Sequence, residues 1–252
     1  MMRPTPDIKA NLQSVRERIR QAAAAAGRNP DEIRLIAVSK TVSSADILHA
    51  IDAGQHVFGE STVQEAMAKQ TLIGDPANEW HFIGHLQTNK VKHIPGNFAW
   101  LHTLDSLKLA RKLSGYADAR GVVVNTLLQI NITHDPDKFG MQPERVFGFV
   151  DELLQVGLNG LRPRGLMTIG LREGSVADCH RAFSQLRELR DACALRFGDA
   201  MFHELSMGMS GDFEIAIAEG STMVRVGSAI FGERPARCDR TSATWTELTD
   251  SD

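Results

Sequence analysis

The chain has 252 residues, of which 42% are hydrophobic and 23% charged, with a formal net charge of -3. These values suit a soluble globular protein and give no basic footprint for nucleic acid. No apolar run approaches the roughly 20 residues that span a bilayer, and MMRPTPDIKANLQSVRERIR has no apolar h-region, so neither a membrane span nor a signal peptide is expected.

The first element is an amphipathic helix over roughly 5–27. Eight short runs rich in Val, Ile, Leu and Phe follow: IRLIAVSK (33–40), HVFGE (56–60), EWHFIG (79–84), WLHTLD (100–105), VVNTLLQINI (123–132), LRPRGLMTIG (161–170), MFHELSMG (201–208) and TMVRVGSAIFG (222–232). Longer segments with helical spacing separate them, which argues for βα units around a parallel sheet. Ser43 ahead of Asp46 and Ser175 ahead of Asp178 look like helix N-caps. Pro143 suits a first helical turn, and Gly54, Gly157 and Gly220 sit where helices should stop. The fold expected is a single α/β (β/α)8 TIM barrel with an extra N-terminal helix and no second β domain. Its parts are a helical extension over 1–30, the barrel over 31–234 and a polar tail over 235–252. An open doubly wound sheet is the alternative, weakened because no GxGxxG follows the first strand. The cysteines Cys179, Cys193 and Cys238 form no CxxC pair, which suits a reducing cytoplasm.

Functional groups of a barrel sit at the C-terminal ends of its strands. Lys40 ends the first, and lysine is seldom buried unless paired or chemically used. A packed mouth would lower the pKa of its amine and make it a nucleophile toward a carbonyl. The bland alternative is an ion-paired rim lysine. Other groups at strand ends are Glu60, 81–84, Asp105, Asn131, Met167, Thr168, 206–210 and 225–228. SMGMSGDFEIAIAEG (206–220) and the Gly227-Ser228 step put small residues in the loops after strands seven and eight, where barrels often bind phosphate. Tight turns alone would explain either loop. Arg225 shares a strand face with Gly227 and needs an acceptor, either a carboxylate such as Glu204 or Asp212 or the ring nitrogen of a cofactor. A Schiff-base lysine, a phosphate cradle and an inward arginine together describe a pyridoxal phosphate (PLP) site.

With these residues in place, the chain resembles the pyridoxal phosphate homeostasis protein family. The matching segments are LIAVSKTVSSADILHAIDAG, FGESTVQEA, EWHFIGHLQTNKVKHI, LLQINITHDPDKFGM, RGLMTIG and ELSMGMSGDFEIAIAEGSTMVRVGSAIFGER, within about 33–234. The resemblance implies a barrel like the N-terminal domain of alanine racemase. It implies that Lys40 carries the cofactor as a Schiff base, that Arg225 faces the pyridine nitrogen, and that Ser210, Gly227 and Ser228 hold the phosphate. Met209 and Met167 would lie near the cofactor. The family's second strand usually ends in Gly-Glu-Asn-Tyr; here Gly59-Glu60-Ser61-Thr62 stands instead, so no ring contact is carried over there.

The function this implies is storage or delivery of PLP within the cell without catalytic turnover, with PLP-dependent apoenzymes as candidate recipients. The alternative is an amino-acid racemase on the same barrel. A two-base racemase needs a group on each face of its substrate. The only tyrosine, Tyr116, is expected on the opposite end of the barrel. A monomer in the cytoplasm is expected, with no nucleic-acid or membrane partner. A metal-dependent hydrolase is disfavoured, because His81 lies within a strand with His85 beyond it. His81 is expected to line the barrel mouth near the cofactor.

Overall fold

The structure, a computed structural model, describes residues 6–171 and 173–233; the expected polar tail lies outside them. Helix α1 (Ile8–Ala25) leads into β1 (Arg34–Val38), α2 (Ser44–Asp52), β2 (Val57–Glu60), α3 (Val63–Ile73) and β3 (Glu79–Phe82). The chain continues through β4 (Trp100–Leu104), α4 (Leu107–Asp118), β5 (Val124–Gln129), α5 (Val146–Val156) and β6 (Leu161–Met167). It ends with α6 (Val176–Phe197), β7 (Glu204–Ser206), α7 (Phe213–Ala218), β8 (Met223–Val226) and α8 (Ser228–Phe231). The strands pair in parallel in chain order, and β1 closes on β8, which makes the eight-stranded barrel read from the sequence.

Side-chain alternation divides the core in two. Ile36, Trp100, Leu127, Met167 and Met223 pack inside the barrel. The opposite faces of the same strands, among them Ala37, Phe58, Phe82, Leu166 and Val224, pack against the helices. Helix α1 buries Ile8, Leu12, Val15, Ile19 and Ala23 on that outer layer. Each fully buried aliphatic side chain there contributes roughly 1.5–3 kcal/mol, enough to hold the helix against the barrel. Asn11 and Arg28 fix it further by donating to the carbonyls of Ile230, Ile217 and Ser221.

Ser43 caps α2, and Ser175 with Asp178 forms a reciprocal capping box at α6. Pro143 begins a short 3-10 turn (Pro143–Arg145) that runs into α5. In β6 the register against β5 shifts beside Pro163, and Gly165 takes φ 155 so close to β7 that a Cβ would meet the Glu204 carbonyl oxygen at 1.9 Å. Only glycine fits that approach.

All eight strands are shorter than the runs that announced them, most clearly the first and the last three. The first stops at Val38, because Thr41 turns the backbone to φ 64. The run at 222–232 is β8 followed by α8, since the N–H groups of Ile230 and Phe231 both return to the Gly227 carbonyl. The runs at 161–170 and 201–208 end at Met167 and Ser206, where the loops of the C-terminal face begin.

Candidate functional site

Strands β1 and β8 are neighbours, with Ala37 paired to Val226, so the residues that follow them emerge side by side. Lys40 comes from one and the Gly227-Ser228 step from the other. Val38 and Gly227 lie so close that a Cβ on Gly227 would stand 3.3 Å from Val38 Cβ. Lys40 is half-buried in the turn beyond β1 rather than in the strand itself.

That turn is held from behind. Ser39 is buried, and its hydroxyl donates to Glu60 Oε1 at 2.7 Å. Lys69 Nζ, on α3, donates to the Ser39 carbonyl at 2.7 Å, to Glu60 Oε1 at 2.8 Å and to Glu65 Oε1 at 2.6 Å. Glu65 Oε1 in turn accepts the Thr41 N–H at 2.5 Å. A β-branched residue at positive φ is strained, and here the strain is absorbed beside the candidate nucleophile. Burial pushes the Glu60 carboxyl up, against the opposing effect of Lys69 and Ser39.

The loop after β7 reaches the same place. Ser210 Oγ accepts N–H bonds from Gly227 at 3.2 Å and Ala229 at 3.4 Å. Two backbone donors therefore converge on one oxygen at the mouth of β8. Ser228 is exposed and Met209 half-buried there. The Met209 N–H donates to Asp212 Oδ1 at 2.6 Å, which shapes the loop.

Arg225 is the buried cation of the site. Its Nη1 donates to Ser206 Oγ at 2.5 Å and its Nη2 to the Thr168 carbonyl at 2.8 Å. Neither Glu204 nor Asp212 accepts from it; Glu204 takes the Thr222 hydroxyl and Asp212 the Met209 amide. Burial pushes the Arg225 pKa down to about 10, with Asp212 opposing the shift.

His81 is not at the mouth, as the sequence suggests, but inside the barrel. Strand β3 ends one residue later, and the ring is fully buried, bonded to Glu79 Oε1 at 2.6 Å and to His102 Nε2 at 2.8 Å. Met167 is likewise part of the interior packing. Lys40, Ser210, Gly227 and Ser228 thus gather at the C-terminal face, with Arg225 two residues below Gly227, while His81 belongs to the interior. The His102 and Ser206 contacts beneath Arg225, and Lys69 behind the turn, are not evident from sequence reasoning. Glu65 and Lys69 stand four apart, which reads as an ordinary helix-surface pair. Among the described residues no group of three or more His, Cys, Asp or Glu side chains is placed to hold a metal ion.

Comparison with known proteins shows the family to which the chain belongs. The family described as "Alanine racemase, N-terminal domain" matches residues 10–235. The pyridoxal phosphate homeostasis protein of Pseudomonas aeruginosa is 43% identical over 227 residues, covering 90% of this chain and 96% of that protein. The Escherichia coli protein of the same name is 45% identical over 234 residues, covering 90% of this chain and 97% of its own length. The structure of PipY from Synechococcus elongatus with PLP bound superposes with a TM-score of 0.79 at 36% identity, over 90% of this chain and 100% of that one. The chain belongs to the alanine racemase N-terminal domain family and, within it, to the pyridoxal phosphate homeostasis proteins.

Proposed function

We propose that this protein binds pyridoxal 5'-phosphate through Lys40 and serves in its storage or delivery rather than in turnover. The observation that carries the reading is Arg225. It is a buried guanidinium that spends one donor on a hydroxyl and one on a backbone carbonyl, with no carboxylate bonded to it among the described residues. A guanidinium has five N–H donors and no acceptor. Its unspent donors suit an acceptor that arrives with a ligand, and the nitrogen of a pyridine ring is one. At a pKa of about 10 it remains charged near neutral pH and cannot usefully give up its proton. It would therefore leave that ring nitrogen unprotonated.

The converging N–H groups of Gly227 and Ala229, with Ser210 and Ser228, support a phosphate site beside it. Met209 stands half-buried beside Ser210 on the same loop, whereas Met167 stays within the interior packing. A bound cofactor would supply an aldehyde, and the Lys40 amine is the group that would hold it covalently. Lys69, Glu65 and Glu60 fix the turn from which that amine extends.

Absence of turnover is supported by where the single tyrosine lies. Tyr116, the single tyrosine, lies near the end of α4 and is 43% exposed. That helix follows β4 and runs back toward the N-terminal face, away from the C-terminal ends of the strands. The homeostasis names of the relatives support the same reading. Recipients would be PLP-dependent apoenzymes, and a cytoplasmic monomer suits the role.

Titration of purified protein with PLP, followed in the visible range, tests the binding. Incubation with single-enantiomer amino acids then tests turnover. The reading expects saturable binding and no racemisation. Absence of binding would refute it, and racemisation would replace the carrier with an enzyme.

A further inference from the structure

A line of polar side chains runs through the interior of the barrel. It begins at Glu79, at the N-terminal end of β3, where Oε1 accepts from Arg34 Nη1 at 3.0 Å and is 2.6 Å from His81 Nε2. His81 Nδ1 is 2.8 Å from His102 Nε2, and His102 Nδ1 is 2.9 Å from Ser206 Oγ. Arg225 Nη1 completes it at Ser206. His81, His102 and Ser206 are fully buried and Arg225 nearly so.

The two ends fix every proton between them. Arginine can only donate, so Ser206 Oγ accepts from it and gives its one O–H to His102 Nδ1. His102 then carries its proton on Nε2 and donates to His81 Nδ1. His81 in turn carries its proton on Nε2 and donates to Glu79. An ionised carboxylate only accepts, so the far end demands the same direction. Every link is satisfied with both imidazoles neutral. A second proton on either ring would face a donor and break the run. Burial lowers the pKa of both histidines, which agrees with that state. The buried side-chain atoms left without a partner among the described residues are Glu60 Oε2, Thr126 Oγ1 and Gln129 Oε1, none of them in this line.

We propose that Glu79, His81, His102 and Ser206 form a one-directional relay that positions Arg225 from beneath and carries the influence of charge at the opposite barrel mouth to the cofactor ring, an assignment that rests on the reading of Arg225 given above. The charged groups around the two imidazoles are Glu79 on β3, Arg34 on β1, Glu204 on β7 and Arg225 on β8. Glu79 sits where β3 begins, with His81, His102 and Ser206 between it and Arg225. His81, His102 and Ser206 are positioning residues.

The first arm uses protein without cofactor. Nitrogen-15 NMR of the two imidazoles should show Nε2 protonated and Nδ1 unprotonated in both rings near neutral pH. A protonated Nδ1 in either would overturn the relay, whether or not PLP binds. The second arm uses PLP-loaded protein and the pH dependence of its visible band. Glu79→Gln removes a negative charge and should move the midpoint to lower pH by about half a unit or more, since charge is felt strongly through a low-dielectric interior. In a His102→Gln background the same substitution should move it by less than half as much. An equal displacement in both backgrounds would mean charge acting through space, and would overturn the relay. Should His102→Gln fail to fold, the apoprotein NMR decides. Failure of the wild-type protein to bind PLP would refute the cofactor reading and leave the tautomer test standing.

Discussion

Lys69 Nζ lies 2.8 Å from Glu60 Oε1 in a buried ion pair that also grips the carbonyl of Ser39, the residue before Lys40. One ammonium on α3 thereby ties β1 to β2 at the point where the candidate nucleophile leaves the barrel. The pair is 7% and 0% exposed, so neither charge can turn to solvent.

Lys69→Met should therefore destabilise the fold by about 3–5 kcal/mol at neutral pH, because it strands a buried carboxylate. Burial already raises the Glu60 pKa, and a raised carboxyl contributes stability below its unfolded value that is lost as pH rises. The deficit should accordingly shrink toward acid pH. Urea unfolding at pH 7 and pH 4.5 measures both; a loss below about 1 kcal/mol at pH 7 would make the pair a minor contact.

The interior histidines give a second pH signature. Burial holds both below the ordinary value, so the unfolded chain binds protons that the folded one does not. Their contribution is nil above the unfolded pKa of about 6.5 and becomes destabilising as pH falls below it, by up to about 1.4 kcal/mol per pH unit for each ring. The unfolding free energy of the wild-type protein should drop between pH 7 and pH 5. His102→Gln should flatten that slope, and parallel slopes would contradict the neutral buried state.

Ser210→Ala removes the oxygen on which the Gly227 and Ala229 amides converge. Loss of one hydrogen-bonding hydroxyl from an anion site is worth roughly 1–2 kcal/mol, or about five- to thirtyfold in affinity. PLP titration should show weakening of that size with fold and melting temperature nearly unchanged. Unaltered affinity would move the phosphate elsewhere.

Gly165→Ala tests the barrel wall. The new methyl would collide with the Glu204 carbonyl, where β6 and β7 pair, in a backbone conformation that alanine resists. A loss of more than about 3 kcal/mol is expected in thermal or urea unfolding. A mild effect would mean that the two strands can separate without cost.

The barrel was legible because eight apolar runs alternate with helical segments, and because each run keeps its inner and outer faces distinct. Strand ends were less so. TMVRVGSAIFG is apolar throughout, yet α8 within it buries Ile230 by a helical turn that only the return of two N–H groups to Gly227 decides. Lys40, Arg225 and the Ser210–Gly227 pair could be named because each stands near a strand end in the sequence. The interior line could not. His81 and His102 belong to separate strands, and nothing local states that β3 and β4 are registered with His81 opposite Trp100, two residues before His102. Lys69 was hidden for the same reason, since its buried partner Glu60 comes from another element.

The most direct test of the whole account is borohydride reduction of PLP-treated protein followed by peptide mapping, in the wild-type protein and in Lys40→Ala. The account predicts a single reduced adduct on Lys40, absent from a variant that retains its circular dichroism spectrum and melting behaviour. An adduct on another lysine, or one that persists in folded Lys40→Ala, would contradict it.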